Sequence, residues 1–355
     1  MKDILQKRNI PDVLENVNSV SDWDKRREYI KDLLQKEEYG FIPQKPDRLE
    51  FSEEIIVKNF GAGKTDLKKI TITSYIGDKM FSFPAYSTVP KDRESLPAFI
   101  HINFRDDVPD RYMPNEEIID NGFAVFSFCY KDVTSDSNDF TDGLAGVLFE
   151  NGERCDTDPG KIAMWAWAAM RVMDYVETIT CVDKNKVSVC GHSRLGKTAL
   201  LTGAFDDRFA CAFSNDSGCS GAAIARGNTG ENIYDICQKF PYWFCKNYYK
   251  YQNNEDKLPF DQHYLISLIA PRYAYVASAE KDAWADPKSE QLSCLAASAV
   301  WNLYEKKGLM CNDAFAQCND YFHDGCIGYH LRGGTHYFSR DDWNYYIKFL
   351  KSKMF

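Results

Sequence analysis

The clearest chemical signal in the sequence is a serine placed between an apolar segment and a helix-like segment. Val187–Cys190 is apolar, Gly191-His192-Ser193 follows, and a helical pattern begins at Arg194. A strand that turns sharply into a helix lifts a serine hydroxyl above the edge of a sheet, as in a nucleophile elbow. Gly196 comes one position later than in the usual pattern, and an ordinary polar turn is the alternative. The layout predicts Ser193 as a nucleophile.

A serine nucleophile needs a general base, and histidine fills that role most often. Among the six histidines, His336 stands in the glycine-rich segment 332–337, just before the last predicted helix. Enzymes with an elbow serine place serine, acid and histidine in that order along the chain, and the late position of His336 fits. His330 is the alternative. We therefore expect His336 to be the base.

Two aspartates compete for the acid that orients this histidine. Asp282 follows a predicted strand at 274–278, where elbow-serine enzymes usually keep their acid, and Asp216 follows the preceding strand at 211–214. Either side chain could instead cap a loop, and Asp286 before Pro287 is expected to do only that. The residues themselves leave both Asp282 and Asp216 open.

The candidate nucleophile, base and acid can meet only if the strands before them end at a common edge of a sheet. The apolar segments of the chain predict such strands. Short, continuously apolar strands followed by helices are typical of a parallel sheet that is covered on both faces. The turn at Gly77-Asp78 predicts a hairpin, so the sheet should begin with an antiparallel part. Strands are predicted at 50–60, 67–76, 79–87, 97–104, 124–128, 186–190, 211–214 and 274–278. Helices are predicted from Ser21-Asp22 onward and at 163–175, 194–204, 288–306 and 341–351.

Length, composition and charge restrict the class of protein. The chain has 355 residues, 44% of them hydrophobic and 27% charged, as in a globular α/β protein. The net charge of −9 offers no basic surface for nucleic acid, and no apolar run is long enough to span a membrane. Without a linker between domains, we expect an N-terminal helical segment, 1–45, packed on a single catalytic domain, 46–355.

The twelve cysteines and the N-terminus bear on cofactors and location. No Cys-x-x-Cys pair occurs, so the cysteines are expected to be mostly reduced and structural, and neither a metal nor another cofactor is expected. The N-terminus, 1–8, is charged and lacks the apolar core of a signal peptide. We therefore expect a cytoplasmic protein, or a secreted one if a signal peptide has been removed.

A series of short motifs resembles a known family. In order along the chain they are GHSRLGK (191–197), NDSGCSGAA (215–223), GENI (230–233), LPFDQH (258–263), APR (270–272) and EKDAWADP (280–287). This series resembles the bacterial branch of the glucuronoyl esterases, carbohydrate esterase family fifteen, over about residues 40–350. The resemblance implies an α/β-hydrolase fold, a doubly wound three-layer sandwich with a mostly parallel sheet.

The resemblance also implies roles for individual residues. It matches Ser193 to the nucleophile, His336 to the base and Arg194 to the residue that stabilises the oxyanion. The family places its acid at either of two sites, which match Asp216 and Asp282, and Asp282 is preferred because a longer glutamate is frequent at the first site. Lys197 and Glu231 would bind sugar hydroxyls, and Trp284 would border the sugar. Cations at a helix N-terminus are unfavourable, so Arg194 and Lys197 there suggest a function.

The implied activity is a serine carbohydrate esterase that acts on esters of 4-O-methyl-glucuronic acid on xylan or xylo-oligosaccharides. An acetylxylan esterase, or another serine hydrolase of the same fold, is the first alternative. A catalytically silent hydrolase fold that binds carbohydrate is the second. The expected partner is the glucuronate-ester carbohydrate, with no nucleic acid or membrane.

Overall fold

The computed structural model describes residues 1–91 and 93–354, and within them ten strands form a single mixed sheet. In chain order these are β1 (Arg48–Phe60), β2 (Thr65–Ile76), β3 (Lys79–Thr88), β4 (Leu96–Asn103), β5 (Ala124–Cys129), β6 (Val182–His192), β7 (Cys211–Asn215), β8 (Tyr273–Ala279), β9 (Tyr321–Phe322) and β10 (Ile327–Arg332). The order across the sheet is β1-β2-β3-β5-β4-β6-β7-β8-β10-β9.

The sheet has an antiparallel beginning and a parallel centre, as the sequence predicts. Strands β1, β2, β3 and β5 are joined by antiparallel pairing, and Ile76 faces Lys79 across the predicted hairpin turn. From β5 through β4, β6, β7 and β8 to β10, every neighbouring pair is parallel. The carboxyl ends of these parallel strands therefore meet at one edge, where sites in such sheets form.

Ten α-helices accompany the sheet in the described residues. They are α1 (Lys2–Lys7), α2 (Val20–Leu34), α3 (Asn115–Asp120), α4 (Gly143–Leu148), α5 (Lys161–Val176), α6 (Arg194–Phe205), α7 (Ile233–Lys239), α8 (His263–Ser267), α9 (Pro287–Leu303) and α10 (Arg340–Met354). In this part of the chain, no helix combines the length and the apolar character that a membrane span requires.

Two hydrophobic layers separate the sheet from its helices. Ile100 of β4 and Val189 of β6 point into the larger layer, together with residues of α5, α6 and α9. Their chain neighbours Phe99 and Cys190 point into the second layer, which includes α10. Successive residues of a strand face opposite sides, so this division shows helices on both faces. The predicted three-layer α/β architecture is confirmed.

Several element boundaries differ from the predictions. Helix α2 begins at Val20, and its cap is Ser19, whose hydroxyl accepts a hydrogen bond from the Asp22 N–H, so the predicted start at Ser21 is wrong. The Asp22 carboxylate in turn accepts from the Ser19 hydroxyl at 2.8 Å, which makes the cap reciprocal. Helix α9 ends at Leu303 and not at 306, and Asp286, which was expected to cap a loop, caps the start of this helix. Strand β10 was not predicted.

The N-terminal segment packs against the sheet-bearing part of the chain. Trp23, Ile30 and Leu34 of α2 and the following Tyr39 are fully buried in the larger hydrophobic layer. The Tyr39 hydroxyl donates to the carbonyl of Ser220 at 2.9 Å. The segment is therefore continuous with the main core, and its boundary as a separate unit at residue 45 stays a prediction.

All twelve cysteines are free thiols. Cys155 and Cys318 are exposed, Cys181 and Cys326 are partly buried, and the other eight are buried. Burial raises the pKa of the Cys190, Cys211 and Cys294 thiols well above the usual value.

Candidate active site

Ser193 occupies the turn between β6 and α6 in a backbone conformation that few residues adopt. Its φ is 59° and its ψ is −126°, a region that costs roughly 1–3 kcal/mol and is found mainly at functional sites. The Ser193 N–H donates to the Asn215 carbonyl at 2.8 Å. A Cβ at Gly191 would lie 2.2 Å from the Leu195 carbonyl oxygen, so the turn requires glycine there. The predicted strand–turn–helix arrangement is present.

His336 and Asp282 form a direct hydrogen bond. The His336 Nδ1 lies 2.6 Å from the Asp282 Oδ2, and the Asp282 side chain is only 4% exposed whereas that of His336 is 42% exposed. A carboxylate accepts but does not donate, so Nδ1 carries the proton and Nε2 is left as the basic nitrogen. Ser193 and His336 line the same cavity. This arrangement suits a serine activated by a histidine.

Asp216 lies close to this pair but has other partners. Its Oδ2 accepts from the Arg332 Nη2 at 3.1 Å, and its Oδ1 has no hydrogen-bond partner among the described residues. Burial raises the pKa of the Asp216 carboxyl well above its usual range, with Asp342 and Glu290 adding to the effect and Arg332 opposing it. Asp282, and not Asp216, holds the imidazole of His336.

Two further histidines near the site are already engaged. The His330 Nδ1 lies 2.9 Å from the Tyr275 hydroxyl and its Nε2 lies 2.9 Å from the Asp342 Oδ1, so both nitrogens of the alternative base are occupied. The ring of His192 lies beside that of His336, with ring centroids 4.4 Å apart and an interplanar angle of 43°. Burial lowers the pKa of His192 to about 3, and the ring is therefore neutral.

The cavity beside Ser193 has a volume of about 180 Å³ and is lined by every predicted site residue except Asp282 and the alternative base His330. Its lining consists of Ser193, Arg194, Lys197, Asp216, Ser217, Gly218, Glu231, Phe240, Trp243, Trp284, Ala285 and His336. A larger depression of about 660 Å³ lies at the opposite edge of the sheet, beside Ser95 and Cys181, but its described lining contains no histidine. The smaller cavity is therefore the candidate site.

Glu231 links two other predicted binding residues. Its Oε2 accepts from the Lys197 Nζ at 3.1 Å, and its Oε1 accepts from the Trp284 Nε1 at 3.2 Å. Lys197 also donates to the carbonyls of Ser217 (2.7 Å) and Cys219, so its three N–H groups each have an acceptor. Trp284 is 46% exposed at the rim. The free lone pairs of Glu231 are the groups left to bind a hydroxyl.

Arg194 is fixed by a carboxylate and by aromatic rings. Its Nη1 donates to the Asp136 Oδ2, and Asp136 also accepts from the Tyr130 hydroxyl at 2.8 Å and from the Trp243 Nε1 at 2.9 Å. The guanidinium carbon lies 4.7 Å from the centre of the Trp243 ring. The Arg194 Nε is buried and has no partner among the described residues. As the first residue of α6, Arg194 also has a backbone N–H without an intrahelical acceptor.

Asp216, Asp282 and His336 are close enough to be considered as a metal site. One ligand atom from each lies within 4.8 Å of the others. However, His336 and Asp282 bond to each other, and the Arg332 guanidinium is bonded to Asp216. A cation placed beside Arg332 would be repelled, so the group fits hydrogen bonding better than metal binding.

Comparisons with known proteins show the family to which this chain is similar. A family model described as glucuronyl esterase of fungi matches residues 70–304. The carbohydrate esterase MZ0003, from an unknown prokaryotic organism, is 32% identical and aligns with 98% of this chain and 90% of its own length. This chain belongs to the glucuronoyl esterase family.

Solved structures from the glucuronoyl esterase family have the same fold as this member. A glucuronoyl esterase from Solibacter usitatus is 32% identical, with a TM-score of 0.91 over 98% of both chains. A glucuronoyl esterase from Teredinibacter turnerae is 26% identical, with a TM-score of 0.87 over 97% of this chain and 89% of the other. The resemblance that the motifs indicate is confirmed.

Four residues that shape the site of this esterase family member are not predicted from the sequence. They are Asp136, which holds Arg194, the stacked rings of Phe240 and Trp243, and Arg332. Asp136 lies 58 residues before its partner, and Arg332 lies 116 residues after Asp216. No local pattern predicts pairings at such separations.

Proposed function

We propose that this protein is a serine esterase that hydrolyses esters of glucuronic acid carried by a carbohydrate. The observation that carries the proposal is the single cavity in which Ser193 and His336 meet Glu231, Lys197 and Trp284. A serine–histidine pair alone would suit any ester. A carboxylate and an indole beside the serine suit a ligand with a hydroxylated sugar ring.

The first half of the reaction would form an acyl-enzyme. The Ser193 Oγ attacks the carbonyl carbon of the ester while the His336 Nε2 accepts the hydroxyl proton. Asp282 holds the opposite nitrogen, Nδ1, at 2.6 Å and stabilises the imidazolium that forms. The C–O bond of the ester then breaks, and His336 returns the proton to the departing alcohol. In the second half, water attacks the acyl-enzyme by the same route and releases the uronic acid.

Arg194 would stabilise the negative charge that develops on the carbonyl oxygen. Its backbone N–H and its unpartnered Nε are two donors on the residue next to Ser193. Asp136 and Trp243 fix the guanidinium in advance, so little reorganisation is needed during the reaction. One such donor is worth about 10²–10³ in turnover.

Glu231 would be the main sugar-binding group. Lys197 has each of its N–H groups occupied, so its contribution would be to hold Glu231 and the carbonyls of Ser217 and Cys219 in place. Trp284 would provide an apolar face at the rim. Attachment of the uronic acid to xylan and a cytoplasmic location stay predictions.

The proposal is tested by following the hydrolysis of benzyl glucuronate beside p-nitrophenyl acetate. We expect a higher kcat/KM on the glucuronate ester, because only that substrate occupies the contacts of Glu231 and Trp284. The Ser193→Ala variant should keep its melting temperature and lose about 10⁴-fold or more in kcat on both substrates. Hydrolysis of the acetate without hydrolysis of the glucuronate ester would contradict the proposal.

A further inference from the structure

The candidate base His336 lies in a loop whose side chains are exposed throughout. Residues 333–337 connect β10 to the last turn before α10, and each of them is exposed. Gly333 and Gly334 lie within this loop, and Gly334 has a φ of 98°. A short, glycine-containing surface loop is usually among the more mobile parts of a protein. A base that must meet Ser193 within hydrogen-bond distance needs a restraint on this loop.

The guanidinium of Arg332 supplies contacts to the backbone of this loop. Its Nη1 donates to the carbonyls of Gly333 at 3.0 Å and Thr335 at 3.2 Å, and its Nη2 donates to the carbonyl of Tyr337. Thr335 and Tyr337 are the immediate chain neighbours of His336. One side chain therefore binds the backbone on both sides of the base.

Two buried carboxylates anchor the same guanidinium. The Arg332 Nε donates to Asp342 at 2.8 Å, and its Nη2 donates to Asp216 at 3.1 Å. With the three loop carbonyls, these contacts account for all five N–H groups of the arginine. Asp342 is itself held by Asn215 at 3.0 Å and by Ser339, whose backbone N–H donates at 2.7 Å. The anchor is thus attached to both β7 and the start of α10.

We propose that Arg332 is a positioning residue that holds the loop 333–337 so that His336 meets Ser193 and Asp282 at once. The inference rests on the proposed serine esterase function. Backbone contacts join the loop to the segment of Asp282 as well, since the Glu280 N–H donates to the Arg332 carbonyl and the Lys281 N–H donates to the Gly334 carbonyl. This network also gives Asp216 a role, as an anchor for Arg332 and not as the acid of His336.

The planar fork of arginine, and not its charge alone, performs this role. Lysine would keep a cation between Asp216 and Asp342 but offers three donors from a single nitrogen. It cannot reach two carboxylates and three carbonyls together. Arg332→Lys should therefore preserve the folded state and release the loop. A displacement of about 1 Å at a catalytic group can cost about 10²-fold in rate.

The test measures how fast a fluorophosphonate probe labels Ser193 in Arg332→Lys and in a matched control, Arg226→Lys. Arg226 is equally buried and binds the carbonyls of Leu258 and Phe260 and the carboxylate of Asp261, away from the site. We expect labelling to slow about 10–100-fold in Arg332→Lys and less than about threefold in the control. On the ester substrate, kcat should fall by a similar factor while KM changes less than about threefold.

A double-mutant cycle separates positioning from general loss of stability. If Arg332 acts by aligning His336 with Asp282, Arg332→Lys should slow the labelling of Ser193 by a smaller factor when Asp282→Asn is already present. The proposal would be overturned if a folded Arg332→Lys protein is labelled at a rate within twofold of the wild type. It would also be overturned if Arg332→Lys slows labelling by the same factor with and without Asp282→Asn. If melting shows that Arg332→Lys is unfolded, Asp342→Asn replaces it, and an unchanged labelling rate there would overturn the proposal equally. Labelling needs no glucuronate, so failure of the substrate assignment is recognised separately.

Discussion

At the scale of single residues, the site contains two aspartates of the same chemistry in different surroundings. Asp282 accepts a hydrogen bond from His336 at 2.6 Å, whereas Asp216 is bonded to Arg332 and its pKa is raised by burial. The surroundings of the two aspartates, and not the type of side chain, therefore give them different roles.

We expect Asp282→Asn to lower kcat about 10³–10⁴-fold, because the amide no longer fixes the Nδ1–H tautomer of His336. Asp216→Asn should cost tenfold or less, because Asn can still accept from Arg332. Steady-state hydrolysis of a glucuronate ester by the two variants compares them directly. The reverse order of effects would move the acid to Asp216, and two large effects would indicate a coupled pair.

A substitution of Glu231 should affect two ester substrates differently. Glu231→Gln keeps the size of the side chain but replaces a charged acceptor beside Lys197 and Trp284. A hydrogen bond to a charged group is worth roughly 1.5–3 kcal/mol, so kcat/KM for benzyl glucuronate should fall about 10–100-fold. For p-nitrophenyl acetate on the same variant we expect a change below about threefold. Equal losses on both substrates would contradict a sugar-binding role.

At the scale of elements, the sequence predicts the strands that carry Ser193, Asp216 and Asp282 to one edge and the helix that follows His336. Local signals in the sequence suffice to predict these elements. They are the continuous apolar residues of β4 and β5, the alternation of apolar and polar residues in β2 and β3, and the Gly-His-Ser turn. Strand β10 is different, because it contains Gly328 and the polar His330. A Cβ at Gly328 would lie 2.2 Å from the Tyr275 ring, so a tertiary contact selects that glycine. The network of Arg332 could not be predicted for the same reason.

The packing of α6 on β7 gives a test at this scale. A Cβ at Gly203 would lie 2.5 Å from the Cβ of Ala212, closer than two carbon atoms can pack. Gly203→Ala gains helix propensity of about 1 kcal/mol but must displace α6, which begins at the elbow. We expect a net loss of about 1–3 kcal/mol in the free energy of unfolding, measured by urea denaturation.

The paired substitution Gly203→Ala with Ala212→Gly is the control for this clash. Removing the Ala212 methyl group makes room for the new one, so the double variant should recover part of the lost stability. If Ala212→Gly instead adds its own loss to that of Gly203→Ala, the contact between these two positions is not the cause.

At the scale of the whole molecule, a fully buried carboxylate behind the site should make stability depend on pH. Glu290 accepts from the Ser278 hydroxyl at 2.5 Å and from the Gly218 N–H at 2.9 Å, and burial raises its pKa to about 8. Between its ordinary pKa and about 8, the folded protein keeps a proton that the unfolded chain has lost. The stabilisation is complete at low pH and is lost as the pH rises toward 8.

Between pH 5 and pH 8, we expect the wild type to lose about 1–4 kcal/mol of unfolding free energy relative to the Glu290→Gln variant. Glutamine has no charge to gain, so its variant lacks this dependence. Urea denaturation at both pH values measures the difference, with the exposed Glu54→Gln as the control. If the stability of the wild type relative to the variant stays constant or increases over this pH range, Glu290 ionises freely in the folded state.

The distribution of the free thiols has a practical consequence for following how the molecule opens. The thiolate is the form that attacks an alkylating reagent, and of the twelve cysteines only Cys155 and Cys318 are exposed in the folded chain. The buried thiols of Cys190 on β6, Cys211 on β7 and Cys294 on α9 become reactive only when their own elements separate. Mass spectrometry of the alkylated peptides would therefore give the order in which parts of the native protein open, without any introduced label.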